Sequence, residues 1–316
     1  MKRLIGEYSG TIHGVLIMAI GAIHGNEPAG VRALRDLFGM LENESKINPY
    51  FQFQGRIVGI VGNLQAYERT IRYIKKDLNR SLTSAAIEFS KALPSDRIVF
   101  EDLEILELTQ FIAHEIQVYQ PTKLIVLDLH TTSAGGGIFT IVNEDRESLA
   151  IASTLFAPVV KGLVKGTGGS TLDYFTTENM GIPTLSMAFE GGQHEDVASV
   201  RRIVAWLVNS LRALGCVKND DVEHRHDEVL RQYSKNLPKA VEIIGHHRIL
   251  PPDNFKMKPG YLNFQAVKKG EILASDRHGN ITSPVDCMIL MPLYQPKGND
   301  GFFLIKEIHS SFRLLT

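Results

Sequence analysis

The sequence predicts an α/β layered protein followed by a smaller β-rich unit at its C-terminus. Short apolar runs of strand length alternate with amphipathic stretches at helical spacing. From about Val241 onward, short apolar stretches are broken by turn dipeptides. A run that is apolar throughout suits a strand covered on both faces. Strands alternating with helices imply a sheet layered between them.

The first run, residues 15–20, ends at Gly21, and similar runs occupy 56–61, 124–127, 137–142 and 182–189. Between them, residues 28–41 begin with a proline suited to a helix start and carry Val31, Leu34, Leu37 and Phe38. Residues 103–118 place Leu103, Leu106, Phe111 and Ile112 at helical spacing. Residues 197–214 place Val200, Ile203, Val204, Leu207 and Leu211 likewise, with Gly215 where a helix-ending glycine belongs. The polar stretch 219–228 leads into the second unit, where Pro259-Gly260, Lys269-Gly270, Gly279-Asn280 and Lys297-Gly298 mark turns.

The composition narrows the class. Hydrophobic residues make up 44% and charged residues 22% of 316, which excludes wholesale disorder. At roughly 100–200 residues per domain, two domains are expected. A net charge of −1, from 34 Lys+Arg against 35 Asp+Glu, gives no support to nonspecific nucleic-acid binding. The two cysteines, Cys216 and Cys287, cannot build a disulfide framework and suit a reducing compartment. Glu7 precedes any long apolar stretch, so no secretory signal is expected. The longest apolar run falls well short of the ~20 residues that cross a bilayer. The expectation is a soluble cytoplasmic protein without membrane or nucleic-acid partners, and a homo-oligomer is compatible with it.

Four stretches carry chemistry. The strand ending at Ile20 runs into Gly21-Ala22-Ile23-His24-Gly25-Asn26-Glu27-Pro28. Sites in open α/β sheets form at the carboxyl ends of strands, where an imidazole and a nearby carboxylate can face one ion; an ordinary loop is the other reading. A second strand ends in Asp128-Leu129-His130. These two polar residues alternate onto one face, and Asp128 can orient His130 as a metal ligand or simply hydrogen-bond it. Taken together, two histidines and a glutamate form a ligand set for catalytic zinc that leaves one position open. The third stretch, Met187-Ala188-Phe189-Glu190-Gly191-Gly192, puts an acid at the end of an apolar run, where it can act as a general base or stand solvated. The fourth runs from Asn63 to Arg80. Arginine's planar fork suits carboxylates, so Asn79 and Arg80 can hold a substrate carboxylate and Arg72 an oxyanion; a solvated charged face is the alternative.

These residues resemble the succinylglutamate desuccinylase/aspartoacylase family, whose fold is related to the zinc carboxypeptidases. The resemblance rests on residues 21–27, on 63–80 with its Asp77-Leu78-Asn79-Arg80 core, on Asp128-Leu129-His130-Thr131-Thr132 and on Glu190-Gly191-Gly192. It implies a mixed central sheet flanked by helices over residues 1–218, and a β-rich domain over 219–316 that caps the site. It further implies one zinc ion per chain on His24, Glu27 and His130. Glu190 would be general base and then general acid, Arg72 would polarise the scissile carbonyl, and Asn79 and Arg80 would bind the α-carboxylate. The reaction implied is hydrolysis of a small N-acyl amino acid to a carboxylate and a free amine. The alternative is a zinc carboxypeptidase acting on peptides; a non-enzymatic metal-binding protein would have no need of Glu190.

The sequence departs from the family pattern in two places. No Lys or Arg lies between Lys165 and Arg201, where aspartoacylases carry an arginine that reads the aspartate side chain. The family's pocket tyrosine falls around Phe302-Phe303, neither of which has a hydroxyl, with Tyr294 the nearby candidate to replace it. An acyl group or amino acid other than that of N-acetylaspartate is expected. His224, His226, His246 and His247 lack a strand-end pattern and are expected at the surface. His194 suits either the pocket mouth or a helix start. Residues 166–170 read as a flexible active-site loop ending in a helix cap at Ser170.

Overall fold

The computed structural model describes residues 2–94, 97–164, 168–250 and 252–308. Its strands are β1 (Leu4–Ser9), β2 (Ile12–Gly21), β3 (Gln54–Val61), β4 (Leu124–Thr132), β5 (Phe139–Val142), β6 (Val159–Lys161) and β7 (Thr184–Gln193). In the C-terminal part follow β8 (Ala240–Arg248), β9 (Lys256–Met257), β10 (Gln265–Val267), β11 (Ile272–Asp276), β12 (Gly279–Thr282), β13 (Cys287–Leu290) and β14 (Asp300–Glu307). One 11-stranded sheet runs in the order β1-β3-β2-β4-β7-β5-β6-β8-β14-β13-β10, and β12-β11-β9 form a 3-stranded sheet beside it. The large sheet is mixed: β3, β2, β4 and β7 are parallel, whereas β5 runs antiparallel to β7.

Side-chain alternation on β2 divides the core into two layers. Ile17 and Ala19 share one cluster with Leu34 and Leu37 of the helix Ala29–Ile47 and with Trp206 and Leu207 of the helix Ala198–Ala213. Leu16, Met18 and Ile20 share the other with Ile105, Leu108 and Ile112 of the helix Glu101–Tyr119. Both faces of β2 and β4 are therefore dry, as their unbroken apolar runs predict. Each fully buried Leu or Ile contributes about 1.5–3 kcal/mol.

Element bounds differ from expectation where pairing overrides local pattern. The helix expected over 28–41 continues to Ile47. The strand expected over 182–189 is instead Thr184–Gln193. Pro183 has no N–H to give the ladder and stands just before it. Glu190 pairs with His130 on one side and Phe139 on the other, and Gln193 pairs with Thr132 of β4, which carries the strand past the acid. The polar stretch after 218 contains the helix Arg225–Ser234. Parallel pairing of β6 with β8 joins the C-terminal strands to the large sheet, so among the described residues only β9, β11 and β12 stand outside it. Among the described residues, no helix is long and apolar enough to cross a membrane.

Candidate metal centre and active site

Three strand ends meet at the site. Beyond β2 the chain turns through His24 to Glu27, and the Gly25 N–H donates to the Arg72 carbonyl at 3.1 Å. A Cβ on Gly25 would stand 2.2 Å from the Ala66 carbonyl carbon, so only glycine lets this turn lie against the short helix Leu64–Glu68. Asn63 caps that helix, accepting from the Ala66 N–H at 3.1 Å.

The turn and β4 bring His24, Glu27 and His130 together. One ligand atom from each lies within 4.8 Å of the others, and all three side chains are buried. Nδ1 of His24 is 2.9 Å from one Glu27 oxygen, and Nδ1 of His130 is 3.1 Å from the other. The far nitrogens are tied to carboxylates: His24 Nε2 lies 3.1 Å from Asp77 Oδ1, and His130 Nε2 lies 2.8 Å from Asp128 Oδ2. Asp128 in turn accepts from the Thr171 hydroxyl at 2.6 Å. Each imidazole thus has its Nε2 beside an aspartate and its Nδ1 turned toward Glu27, an arrangement in which the aspartates would orient the rings as metal ligands.

The electrostatics favour a cation here. Burial disfavours a charged His130 ring, yet Asp128 and Glu27 outweigh it and raise its pKa well above the ordinary histidine value. Burial pushes the Glu27 carboxyl up, but His24 and His130 hold it well below the carboxylate range. A locus that stabilises positive charge so strongly, lined by two nitrogens and a carboxylate, fits a divalent ion.

Glu190 lies beside this group on β7, with its Oε2 buried and without a hydrogen-bond partner. Burial is the main cause that pushes its carboxyl up to about 8; His130 and Arg72 pull down while Glu27 and Asp128 add to the rise. Arg72 donates to Glu27 at 3.3 Å and to Asp77 at 3.2 Å, leaving its buried Nε without a partner.

Asn79 and Arg80 also line the pocket, together with Glu190 and the ligand triad. The Asn79 amide oxygen accepts from the Thr171 N–H at 2.8 Å, and its amide nitrogen is 3.4 Å from His130 Nε2. Arg80 donates to the Asn79 carbonyl at 2.7 Å and to Asp300 Oδ2 at 2.6 Å, and its Nε is buried without a partner. The other Asp300 oxygen is 2.7 Å from His246 Nε2.

The C-terminal part supplies pocket wall through Met291, Leu293, Gln295, Asp300 and Phe303. Phe303 lines the pocket where the family's tyrosine is expected. Tyr294 does not replace it: its hydroxyl donates to the Lys258 carbonyl at 2.9 Å and accepts from the Tyr261 N–H at 2.8 Å. His194 accepts or donates to the Thr131 hydroxyl at 2.7 Å, just behind the site. Ser170 is the expected cap, in a reciprocal pair with Asp173, whereas Gly166 and Thr167 of the expected loop lie outside the described residues.

The surface expectation for four histidines holds for His224 and fails for the others. His226 is buried, His246 is half-buried against Asp300, and His247 stacks on Phe255 and Phe302. Asp77, Thr171, Asp300 and His246 have roles here that local reading does not assign. Only Asp77 leaves a local signal, as the cap of the turn Leu78–Arg80.

The profile of the succinylglutamate desuccinylase/aspartoacylase catalytic domain matches residues 13–203, and the chain belongs to this family of amidohydrolases. It is 30% identical over 148 residues to a probable aspartoacylase of Nostoc sp., a match that spans 46% of each chain and so just under half of that relative. It is 26% identical over 274 residues to an N-acyl-aromatic-L-amino acid amidohydrolase (carboxylate-forming) of Xenopus tropicalis, covering 81% of this chain and 83% of that one. A succinylglutamate desuccinylase/aspartoacylase structure from Rhodobacter sphaeroides shares the fold at TM-score 0.62 and 16% identity, over 95% of this chain and 87% of that one. Murine aminoacylase 3 shares it at TM-score 0.59 and 16% identity, over 94% and 96%.

Proposed function

We propose that this chain is a zinc-dependent amidohydrolase that cleaves a small N-acyl amino acid to a carboxylate and a free amine. The observation that carries the reading is the convergence of His24 Nδ1, His130 Nδ1 and the Glu27 carboxylate, with each far imidazole nitrogen held by an aspartate. One donor atom from each of the three residues lies within 4.8 Å of the others, so all three would hold one ion. Three protein donors also leave a coordination position open, as catalytic sites require. Zinc held there supplies Lewis acidity, making hydroxide available near neutral pH and polarising the scissile carbonyl.

The chain's own groups do the rest. Glu190 takes the proton of the attacking water as the C–O bond forms, and returns it to the leaving nitrogen as the C–N bond breaks, releasing the carboxylate and the amine. Burial raises the Glu190 pKa, which makes its carboxylate a better proton acceptor than an exposed one. Arg72 offers its unpartnered Nε to the charge that develops on the carbonyl oxygen. Arg80, with Asn79 beside it, holds the α-carboxylate and so fixes the amide over Glu190.

The test is metal analysis of the purified chain, followed by turnover of N-acyl amino acids and short peptides. Glu190→Gln should keep one zinc per chain and lose turnover by about 10²-fold or more. Full activity in that variant, or cleavage of peptides alone, would overturn the reading.

A further inference from the structure

Glu190 carries the proton in the reaction proposed above, yet its Oε2 is buried without a hydrogen-bond partner. The aim of this carboxylate therefore depends on the backbone that bears it. The next two residues, Gly191 and Gly192, bring no side chain that could fix that backbone. They also interrupt the ladder. Glu190 pairs with His130 and Gln193 with Thr132, so β7 takes three steps where β4 takes two, and the extra residue makes a bulge.

Arg202 packs into this bulge from the helix Ala198–Ala213. Gly192 sits at φ +113°, and a Cβ there would stand 2.4 Å from Arg202 Nη2. A Cβ on Gly191 would stand 2.5 Å from Cγ1 of Ile203, the next residue of the same helix. The guanidinium is fully engaged on this side. Its Nε donates to the Gly191 carbonyl at 2.6 Å, and its Nη2 donates to Asp196 Oδ2 at 2.5 Å and to the Ser199 hydroxyl at 2.9 Å. Ser199 in turn donates to the Gln193 carbonyl at 2.9 Å, just past the bulge. The Tyr233 ring, from the helix Arg225–Ser234, covers the guanidinium at 4.3 Å. Arg202 is 3% exposed and is not among the described residues that line the pocket. A cation kept this dry is costly unless its donors are used, and one of them goes to the peptide beside the proton carrier.

We infer that Arg202 is a positioning residue for the reaction: it fixes the Gly191–Gly192 bulge and, through it, the place of the Glu190 carboxylate beside His24, Glu27 and His130. The inference rests on the amidohydrolase reading for the role of Glu190, and adds to it a residue that lies outside the pocket. Lysine does not replace arginine here, because an ammonium lacks the planar fork that reaches the Gly191 carbonyl, Asp196 and Ser199 at once.

The experiment uses Arg202→Lys, which keeps a buried cation opposite Asp196, so that loss of the fork is separated from loss of the charge. Turnover is measured on the zinc-loaded chain with the N-acyl amino acid that the intact chain cleaves fastest. Arg202→Lys should lower kcat by about tenfold, with KM and zinc content within about twofold of the intact chain. In the Glu190→Gln background the same change should cost no further turnover, because both act through one carboxylate. Hydrogen exchange gives a reading that does not depend on activity. Amides of residues 190–194 should exchange about tenfold faster in Arg202→Lys, while those of β2 and the helix Ala29–Ile47 keep their rates.

Unchanged kcat in a folded Arg202→Lys would overturn the inference. So would a loss that appears as a higher KM or as missing zinc, or one of equal size with and without the Glu190 carboxylate. Faster exchange over 190–194 in a chain that cleaves no N-acyl amino acid would sink the hydrolase reading and leave Arg202 as the holder of the bulge; unchanged exchange in such a chain would sink both.

Discussion

Asp128 and His130 stand two residues apart on β4, and the Asp128 carboxylate lies 2.8 Å from the imidazole Nε2. The strand's alternation sends both side chains to the same face, and the bond leaves Nδ1 of His130 turned toward Glu27. The Thr171 hydroxyl fixes the carboxylate in turn.

Removing that support should weaken metal binding without deleting a ligand. Asp128→Asn should lower zinc affinity by about 10–100-fold, read by competition with a chromophoric chelator. Unchanged affinity would mean that the strand alone orients the ring.

Metal and fold should be linked. Zinc at a hundred times its Kd should add about 2.7 kcal/mol to the unfolding free energy, and a chelator should remove that gain. Glu27→Gln should show no comparable gain in thermal or denaturant unfolding.

Gly25→Ala should disturb the site through its backbone. The added methyl meets the Ala66 carbonyl carbon at 2.2 Å, so either the His24 turn or the helix Leu64–Glu68 must move. Loss of zinc binding greater than loss of stability is expected, measured on one preparation by metal content and urea unfolding.

Trp206 ties the helix Ala198–Ala213 to the strand that carries Glu190. It is fully buried, stacks on Phe189 at 4.9 Å and donates to the Thr140 hydroxyl at 2.9 Å. Trp206→Ala should cost about 3–5 kcal/mol. Trp206→Phe should cost less while leaving Thr140 unpartnered. Equal losses in the two would show that packing volume is not what matters there.

Asp300 gives stability a defined acid dependence. Burial pushes its carboxyl up, but the His246 hydrogen bond and Arg80 outweigh it and bring it down from 3.8 to about 2. The folded value is the lower one, so the stabilisation is complete above about pH 4 and is lost as pH falls toward 2. The difference of nearly two units corresponds to about 2 kcal/mol. Asp300→Asn should be less stable by that order at pH 7, with the gap closing on acidification, as followed by urea unfolding across pH.

The site was legible where chemistry coincides with local pattern. Apolar runs that end in His24, His130 and Glu190 announce strand ends, and strand ends are where the chain must turn and expose polar groups. Asp128 was legible as well, because a period of two places it beside His130. Asp300 and His246 were not. They meet Arg80 only through the pairing of β14 with β8, between segments far apart in sequence, and no local periodicity encodes that meeting. The extension of β7 past Glu190 was hidden for a similar reason: the partner β4, through Thr132 opposite Gln193, keeps the strand going, not the residues Gly191 and Gly192.

The seam between β6 and β8 divides labour within a continuous sheet. On one side stand His24, Glu27, His130 and Glu190, and on the other a stretch of late strands shapes the wall through Asp300 and Phe303. Substitutions in those late strands can therefore reshape the wall while the His24, Glu27 and His130 cluster keeps its own supports. Grafting β8 to β14 from a relative should transfer appetite without transferring chemistry.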